Sequence, residues 1–112
     1  MNKVVFFAFS GNKMGINHIF LNVLDLREKE IDARVVIEGE AVTLIREFEE
    51  SNNPLYKEVK DKGLIDSICK GCSEKLGVLE YNETVGIPIT GSMKGHPPME
   101  PYISDGYQVI TL

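Results

Sequence analysis

Lys3-Val4-Val5-Phe6-Phe7-Ala8-Phe9, running into Ser10-Gly11-Asn12, is the stretch whose reading decides the fold. Its residues are mostly β-branched or aromatic, they are apolar at odd and even positions alike, and they stop at a turn-forming Ser-Gly-Asn. A half-exposed strand alternates apolar with polar; a strand covered on both faces of a parallel sheet does not, so this run predicts a buried parallel strand. Just beyond it, Ile16, Ile19, Phe20, Val23 and Leu24 recur at three- and four-residue spacing, with Asn17, Asn22, Asp25 and Arg27 on the other side. That pattern predicts an amphipathic helix ending near Lys29. A second apolar run, Ala33 to Ile37, is followed by Ala41, Leu44, Ile45 and Phe48 at helical spacing. The acids of Glu38-Gly39-Glu40 suit the start of that helix.

Strand, helix, strand, helix predicts right-handed crossover units on a mostly parallel sheet, an α/β architecture. Further along, Asn52-Asn53-Pro54 breaks the pattern, a short helix is predicted from Leu55 to Lys62, and Leu64 to Cys69 reads as a third strand. Ser73 to Leu76 and Leu79 to Val85 read as one helix or two, interrupted at Gly77. Ile87-Pro88-Ile89 reads as a short fourth strand, where proline suits an end or an edge. Thr90 to Pro98 is a Gly- and Pro-rich loop, Met99 to Ser104 a helical turn or two, and Tyr107 to Leu112 a last strand. At 112 residues, against about 150 per domain, the chain reads as a single domain over residues 1–112.

Composition narrows the function. Twelve Lys plus Arg stand against seventeen Asp plus Glu, a net charge of −5, with no basic run, so a nucleic-acid backbone would be repelled. The longest apolar stretch, Val4 to Phe9, is far short of the roughly 20 residues that cross a bilayer. No secretory pattern opens the chain. A cytosolic protein without nucleic-acid or membrane partners is therefore expected. On that footing Asn82-Glu83-Thr84 is a chance match to a glycosylation acceptor.

In an open parallel sheet ligands sit outside the carboxyl ends of the strands. The segments expected there are Ser10 to Lys13, Glu38 to Glu40, Cys69 to Cys72 and Thr90 to Pro98. Both cysteines fall in Cys69-Lys70-Gly71-Cys72, at a strand-to-helix junction. Free backbone N–H groups there, with Lys70 and Lys75 nearby, are expected to lower a thiol pKa and make a nucleophile. Two thiols so spaced suit a dithiol/disulfide couple, sulfur transfer through a persulfide, or half of a zinc site. Zinc needs four ligands, and His18 and His96 are not spaced as a pair, so no metal site within one chain is expected. No other cofactor is assigned. The plain alternative is a pair of inert cysteines buried as small hydrophobes.

Gly91-Ser92-Met93-Lys94-Gly95-His96-Pro97-Pro98-Met99 is the second segment that could carry chemistry. His96 suits a base or an anion-steering group, with Lys94 adding charge and Gly95 shaping the loop. Ser10-Gly11-Asn12-Lys13-Met14-Gly15 opens the first helix, where backbone N–H groups can hold an anion, although it is neither a P-loop nor a dinucleotide fingerprint. Its simpler reading is a helix cap. Glu38 and Glu40 suit either a carboxylate pair or helix-start acids, and His18 reads as a helix-border residue.

The first strand, the Val36-Ile37-Glu38-Gly39-Glu40-Ala41-Val42 segment, the Ile68-Cys69-Lys70-Gly71-Cys72 to Gly77-Val78 block, the Gly95-His96-Pro97 loop and the ending Gly106 to Thr111 together resemble the DsrE/DsrF-like sulfur-relay family. The resemblance spans nearly the whole chain. It implies a three-layer α/β/α, flavodoxin-like domain with a five-stranded sheet, commonly assembled as trimers or hexamers. It also implies that Cys69, followed by Gly77-Val78, is the persulfide-carrying cysteine, with Cys72 an addition to the single-cysteine pattern. The expected function is thus a sulfur carrier or transferase using Cys69, Cys72 and His96, with a sulfur donor or acceptor protein as partner. Ser10, Gly11, Asn12, Glu38, Lys94 and Gly95 are the expected ligand-binding residues. The alternatives are a module binding a nucleotide or flavin phosphate, and an oligomeric interaction protein without chemistry.

Overall fold

The computed structural model describes residues 2–112. In chain order the elements are β1 (Lys3–Ala8), α1 (Lys13–Glu28), β2 (Asp32–Ile37), a 3-10 segment (Gly39–Thr43), α2 (Leu44–Glu50), α3 (Pro54–Asp61), β3 (Ile65–Cys69), α4 (Lys70–Lys75), α5 (Leu79–Asn82), β4 (Ile89–Thr90), α6 (Glu100–Ser104) and β5 (Gln108–Thr111). All five strands are parallel, in the order β4-β3-β2-β1-β5. This is the α/β class that the continuous apolar run of the first strand implies.

The order explains the layers. From β1 to β4 each crossover steps the same way, and a right-handed connection then lays α1 to α5 on one face. The return from β4 to β5 runs the opposite way and brings α6 to the other face. The two cores follow suit. Val4, Phe6 and Ala8 pack with Ile16, Phe20, Phe48 and Val59 under the large helical layer, whereas Val5, Phe7 and Val36 pack with Tyr102, Tyr107 and Val109 under α6. Every residue from Val4 to Ala8 is buried, which is why that strand lacks alternation.

Boundaries shift by up to three residues, with three physical changes. The helix predicted after Glu38 begins instead as a 3-10 turn. Gly77, at φ +73°, splits the Ser73–Val85 region into α4 and α5. The Ile87–Ile89 strand shortens to Ile89–Thr90 at the sheet edge, because Pro88 cannot donate to a ladder.

Alpha6 is too short to cover its face, and a charged network fills the remainder. Arg34 donates to Asp32 Oδ1 and Asp66 Oδ1, both at 3.0 Å, while the Tyr107 and Tyr102 hydroxyls donate to the second oxygens of the same carboxylates at 2.6 Å. Tyr102 also stands edge-on to Phe7, with centroids 5.7 Å apart. Desolvation pushes the Asp32 pKa up, but the Tyr107 hydroxyl and the Arg34 guanidinium outweigh it and hold the carboxyl below its ordinary value.

A carboxyl depressed in the folded state contributes stability above its unfolded pKa, about 4, and loses it as pH falls through the folded value. Asp32→Asn should therefore lower the urea midpoint at pH 7, and the gap from the wild type should close below about pH 4. A gap that persists unchanged to pH 2 would rule the ionised network out as its source.

Candidate functional site

Three segments distant in sequence converge at the carboxyl edge of β2, β3 and β4. Cys69 is the last residue of β3 and caps α4, its Sγ accepting from the Cys72 backbone N–H at 3.3 Å. The i, i+3 spacing on this cap brings Cys72 back beside it. Glu38 follows β2 directly, its backbone N–H donating to the Ala8 carbonyl at 2.8 Å, and its side chain turns inward. His96 arrives on the loop after β4.

The turn at the tip of that loop is closed by backbone hydrogen bonds. Met93 and His96 exchange N–H···O bonds of 2.9 and 3.0 Å around Lys94 and Gly95, which both have positive φ (+50° and +96°), as a type I′ turn demands. The turn then docks on α4 through a 2.6 Å bond from the Gly71 N–H to the Gly95 carbonyl. A Cβ on Gly71 would lie 2.8 Å from that carbonyl and 3.2 Å from the His96 ring. Glycine at position 71 is the condition for the loop to close.

The result is a cluster around one imidazole nitrogen. His96 Nδ1 lies 3.1 Å from Cys69 Sγ, 3.6 Å from Cys72 Sγ and 3.9 Å from a Glu38 carboxylate oxygen. One donor atom from each of the four residues falls within 4.8 Å of all the others. Cys69 and Glu38 form the buried floor, Cys72 is half-buried, and His96 is the wall toward solvent. Both cysteines are free thiols.

Electrostatics correct one expectation. The lowered Cys69 pKa anticipated from the helix start and the lysines is not what the surroundings produce: burial raises it well above the ordinary thiol range, and the neighbouring Cys72 thiol and Glu38 add to the rise. The Cys72 N–H works in the opposite direction without overcoming burial, and Lys70 and Lys75 project into solvent. Burial likewise raises the Glu38 carboxyl, opposed by His96 and the Cys69 thiol. Burial thus disfavours the ionised form of both groups.

Local spacing does not anticipate a four-donor cluster either. Four candidate donors do meet within one chain, because β2, β3 and the loop after β4 supply Glu38 and His96 from positions that no local spacing reveals.

Of the expected ligand residues, Gly95 belongs to this cluster through its carbonyl, which also lies 3.7 Å from Cys69 Sγ. Lys94 occupies the exposed tip of the turn. Ser10, Gly11 and Asn12 do something else. Ser10 Oγ accepts from the Asn12 N–H, and the Asn12 side chain caps α1 by accepting from the Gly15 N–H, both at 3.0 Å. A donor that an anion would use is already engaged. Glu40 is exposed while Glu38 is buried, so the two acids do not share a role.

One contributor escapes sequence reasoning altogether. Asn82 is fully buried, and its amide donates to the Val42 carbonyl and to Ser73 Oγ at 3.0 and 3.1 Å, tying the segment after Glu38 to the helix after Cys69. In the sequence it registers only as part of a glycosylation match.

Fold and site together define an α/β protein with a dithiol, a histidine and a buried carboxylate gathered at the carboxyl edge of its sheet. Across 98% of its length the chain is 29% identical to an uncharacterized protein of Methanocaldococcus jannaschii, of which the match covers 95%. No family model and no solved structure matches it.

Two outcomes follow from this packing. Gly71→Ala should leave the far-ultraviolet circular dichroism unchanged yet displace the His96 loop, read as an altered rate of native thiol alkylation; an unaltered rate would mean that the loop tolerates the methyl group. Glu38→Gln, in chelator, should raise the thermal midpoint at pH 7, because it removes a carboxylate whose ionisation burial opposes. A lowered midpoint would show that the contacts of Glu38 with His96 and the Cys69 thiol outweigh the cost of its burial.

Proposed function

We propose that the protein carries sulfane sulfur on Cys69, as a DsrE-like sulfur-relay component, with Cys72 as its second thiol. The observation that carries this reading is the convergence of both thiols on His96 Nδ1, at 3.1 and 3.6 Å. A buried thiol with a raised pKa is a poor nucleophile unless a base stands against it, and His96 stands within hydrogen-bond reach.

In the loading step, neutral His96 Nδ1 takes the Cys69 proton and the thiolate attacks the outer sulfur of a donor persulfide, R–S–SH. The donor S–S bond breaks, R–S⁻ leaves and collects the proton from His96, and Cys69–S–SH remains. Neither oxidant nor reductant is consumed. Cys72 then has two options from the same position. Attack on the outer sulfur moves the persulfide to Cys72, whereas attack on the inner sulfur forms the Cys69–Cys72 disulfide and expels HS⁻. The first makes Cys72 a second carrier, and the second makes it a resolving thiol.

The partner that this chemistry requires is a protein or small molecule bearing a persulfide or accepting one. A cytosolic setting and a trimer or hexamer belong to the same DsrE-like reading. No helix among the described residues is long and apolar enough to cross a membrane. The phosphate-binding alternative finds less support, since the Asn12 cap already uses the Gly15 N–H.

Intact-mass analysis after exposure to a sulfane donor tests the reading. The wild type should gain about 32 Da per sulfur added. Cys69→Ser should abolish the addition while Cys72→Ser retains it. Additions that survive in Cys69→Ser would overturn the assignment of Cys69 as the carrier.

A further inference from the structure

Four lone-pair-bearing atoms converge in the cluster, and three of them face the same imidazole nitrogen. A single Nδ1 carries either one proton or one lone pair, so it can satisfy one of those neighbours and not all three. The Cys72 N–H gives Cys69 Sγ one further donor, but no hydrogen bond holds all four atoms at once, as a group bound at their centre would. A cation does this; another hydrogen bond does not.

We propose that Glu38, Cys69, Cys72 and His96 form a four-coordinate site for one Zn²⁺ ion within a single chain. The donor set, two thiolates, one imidazole nitrogen and one carboxylate oxygen, is of zinc type. The spacing agrees as well. Bond lengths of about 2.3 Å to sulfur and 2.0–2.2 Å to nitrogen or oxygen place the corners of a tetrahedron about 3.3–3.8 Å apart. The structure has 3.1, 3.6 and 3.9 Å from the imidazole nitrogen to its three neighbours. All four donor atoms lie within 4.8 Å of one another, so closing on an ion draws them inward by up to about an ångström, and the half-exposed His96 wall is the side that can move.

Binding displaces the two thiol protons to solvent and leaves Glu38 ionised and His96 neutral. Four protein ligands leave zinc no open position, so the ion is held rather than used as a Lewis acid. The inference goes beyond the sulfur-carrier reading and does not rest on it. Where both hold, zinc and sulfane sulfur exclude one another, because each occupies the same two thiolates.

The test uses the full chain, reduced and freed of metal with a chelator. Equilibrium dialysis against Zn²⁺ should give one ion per chain. Co²⁺ in its place should give intense visible bands of a tetrahedral ion together with near-ultraviolet charge transfer from two thiolates. Glu38→Gln and His96→Ala, neither of which removes a thiol, should each bind at least about tenfold more weakly. His18→Ala, on the exposed side of α1, should bind as the wild type does. Three results would overturn the proposal: no stoichiometric binding by the folded wild type, binding indifferent to both Glu38→Gln and His96→Ala, or one ion per two chains with dimerisation. Persulfide loading of the same metal-free wild type is scored separately, so failure of one reading leaves the other standing.

Discussion

The 2.6 Å hydrogen bond from the Gly71 N–H to the Gly95 carbonyl is the contact on which the site depends. It joins the first turn of α4 to a loop that is distant in sequence, and it does so backbone to backbone. Because no side chain intervenes, the His96 ring comes against both cysteine sulfurs. The close approach is permitted by the missing Cβ at Gly71 and by the positive φ at Gly95. The sheet supplies the rest of the frame, since parallel pairing of β2, β3 and β4 sets their carboxyl ends side by side.

Around this contact the protein accepts unfavourable burial. A carboxyl and a thiol, each driven toward its protonated form by desolvation, lie on the floor of the cluster. A fold selected only for stability would place apolar groups there, as it does a few residues away at Ile37 and Ile68. Burying ionisable groups against an imidazole is how sites hold reactive or metal-binding donors ready, and it assigns functional weight to Glu38 on physical grounds. The Asn82 clamp keeps the two supporting segments together beneath the cluster.

The opposite face is organised differently. There Arg34, Asp32, Asp66, Tyr102 and Tyr107 satisfy one another over the part of the sheet that a five-residue helix cannot cover. Charges that pair fully tolerate partial burial, whereas buried Glu38 has His96, 3.9 Å away, as its one ion-pair partner among the described residues. This contrast in satisfaction, rather than the number of charges, separates a structural network from a candidate binding site.

Much of the architecture is legible in the chain itself, for reasons that are local. The apolar run at β1, the helical spacing of Ile16 to Val23 and the breaks at Ser10-Gly11 and Asn52-Asn53-Pro54 act over a few residues, so they announce a parallel α/β sheet and place Cys69 at a strand end. The Cys-x-x-Cys spacing likewise puts two thiols on one helical turn. What local patterns do not contain is which strand end lies beside which loop. The approach of His96, the inward turn of Glu38 while Glu40 stays in solvent, the fully buried Asn82 and the raised Cys69 pKa all arise from contacts between distant segments. The sequence alone therefore determined the fold class and the dithiol. Only the tertiary structure decided that the dithiol has a histidine and a buried carboxylate as neighbours, because strand order and loop docking, not spacing along the chain, bring those groups together.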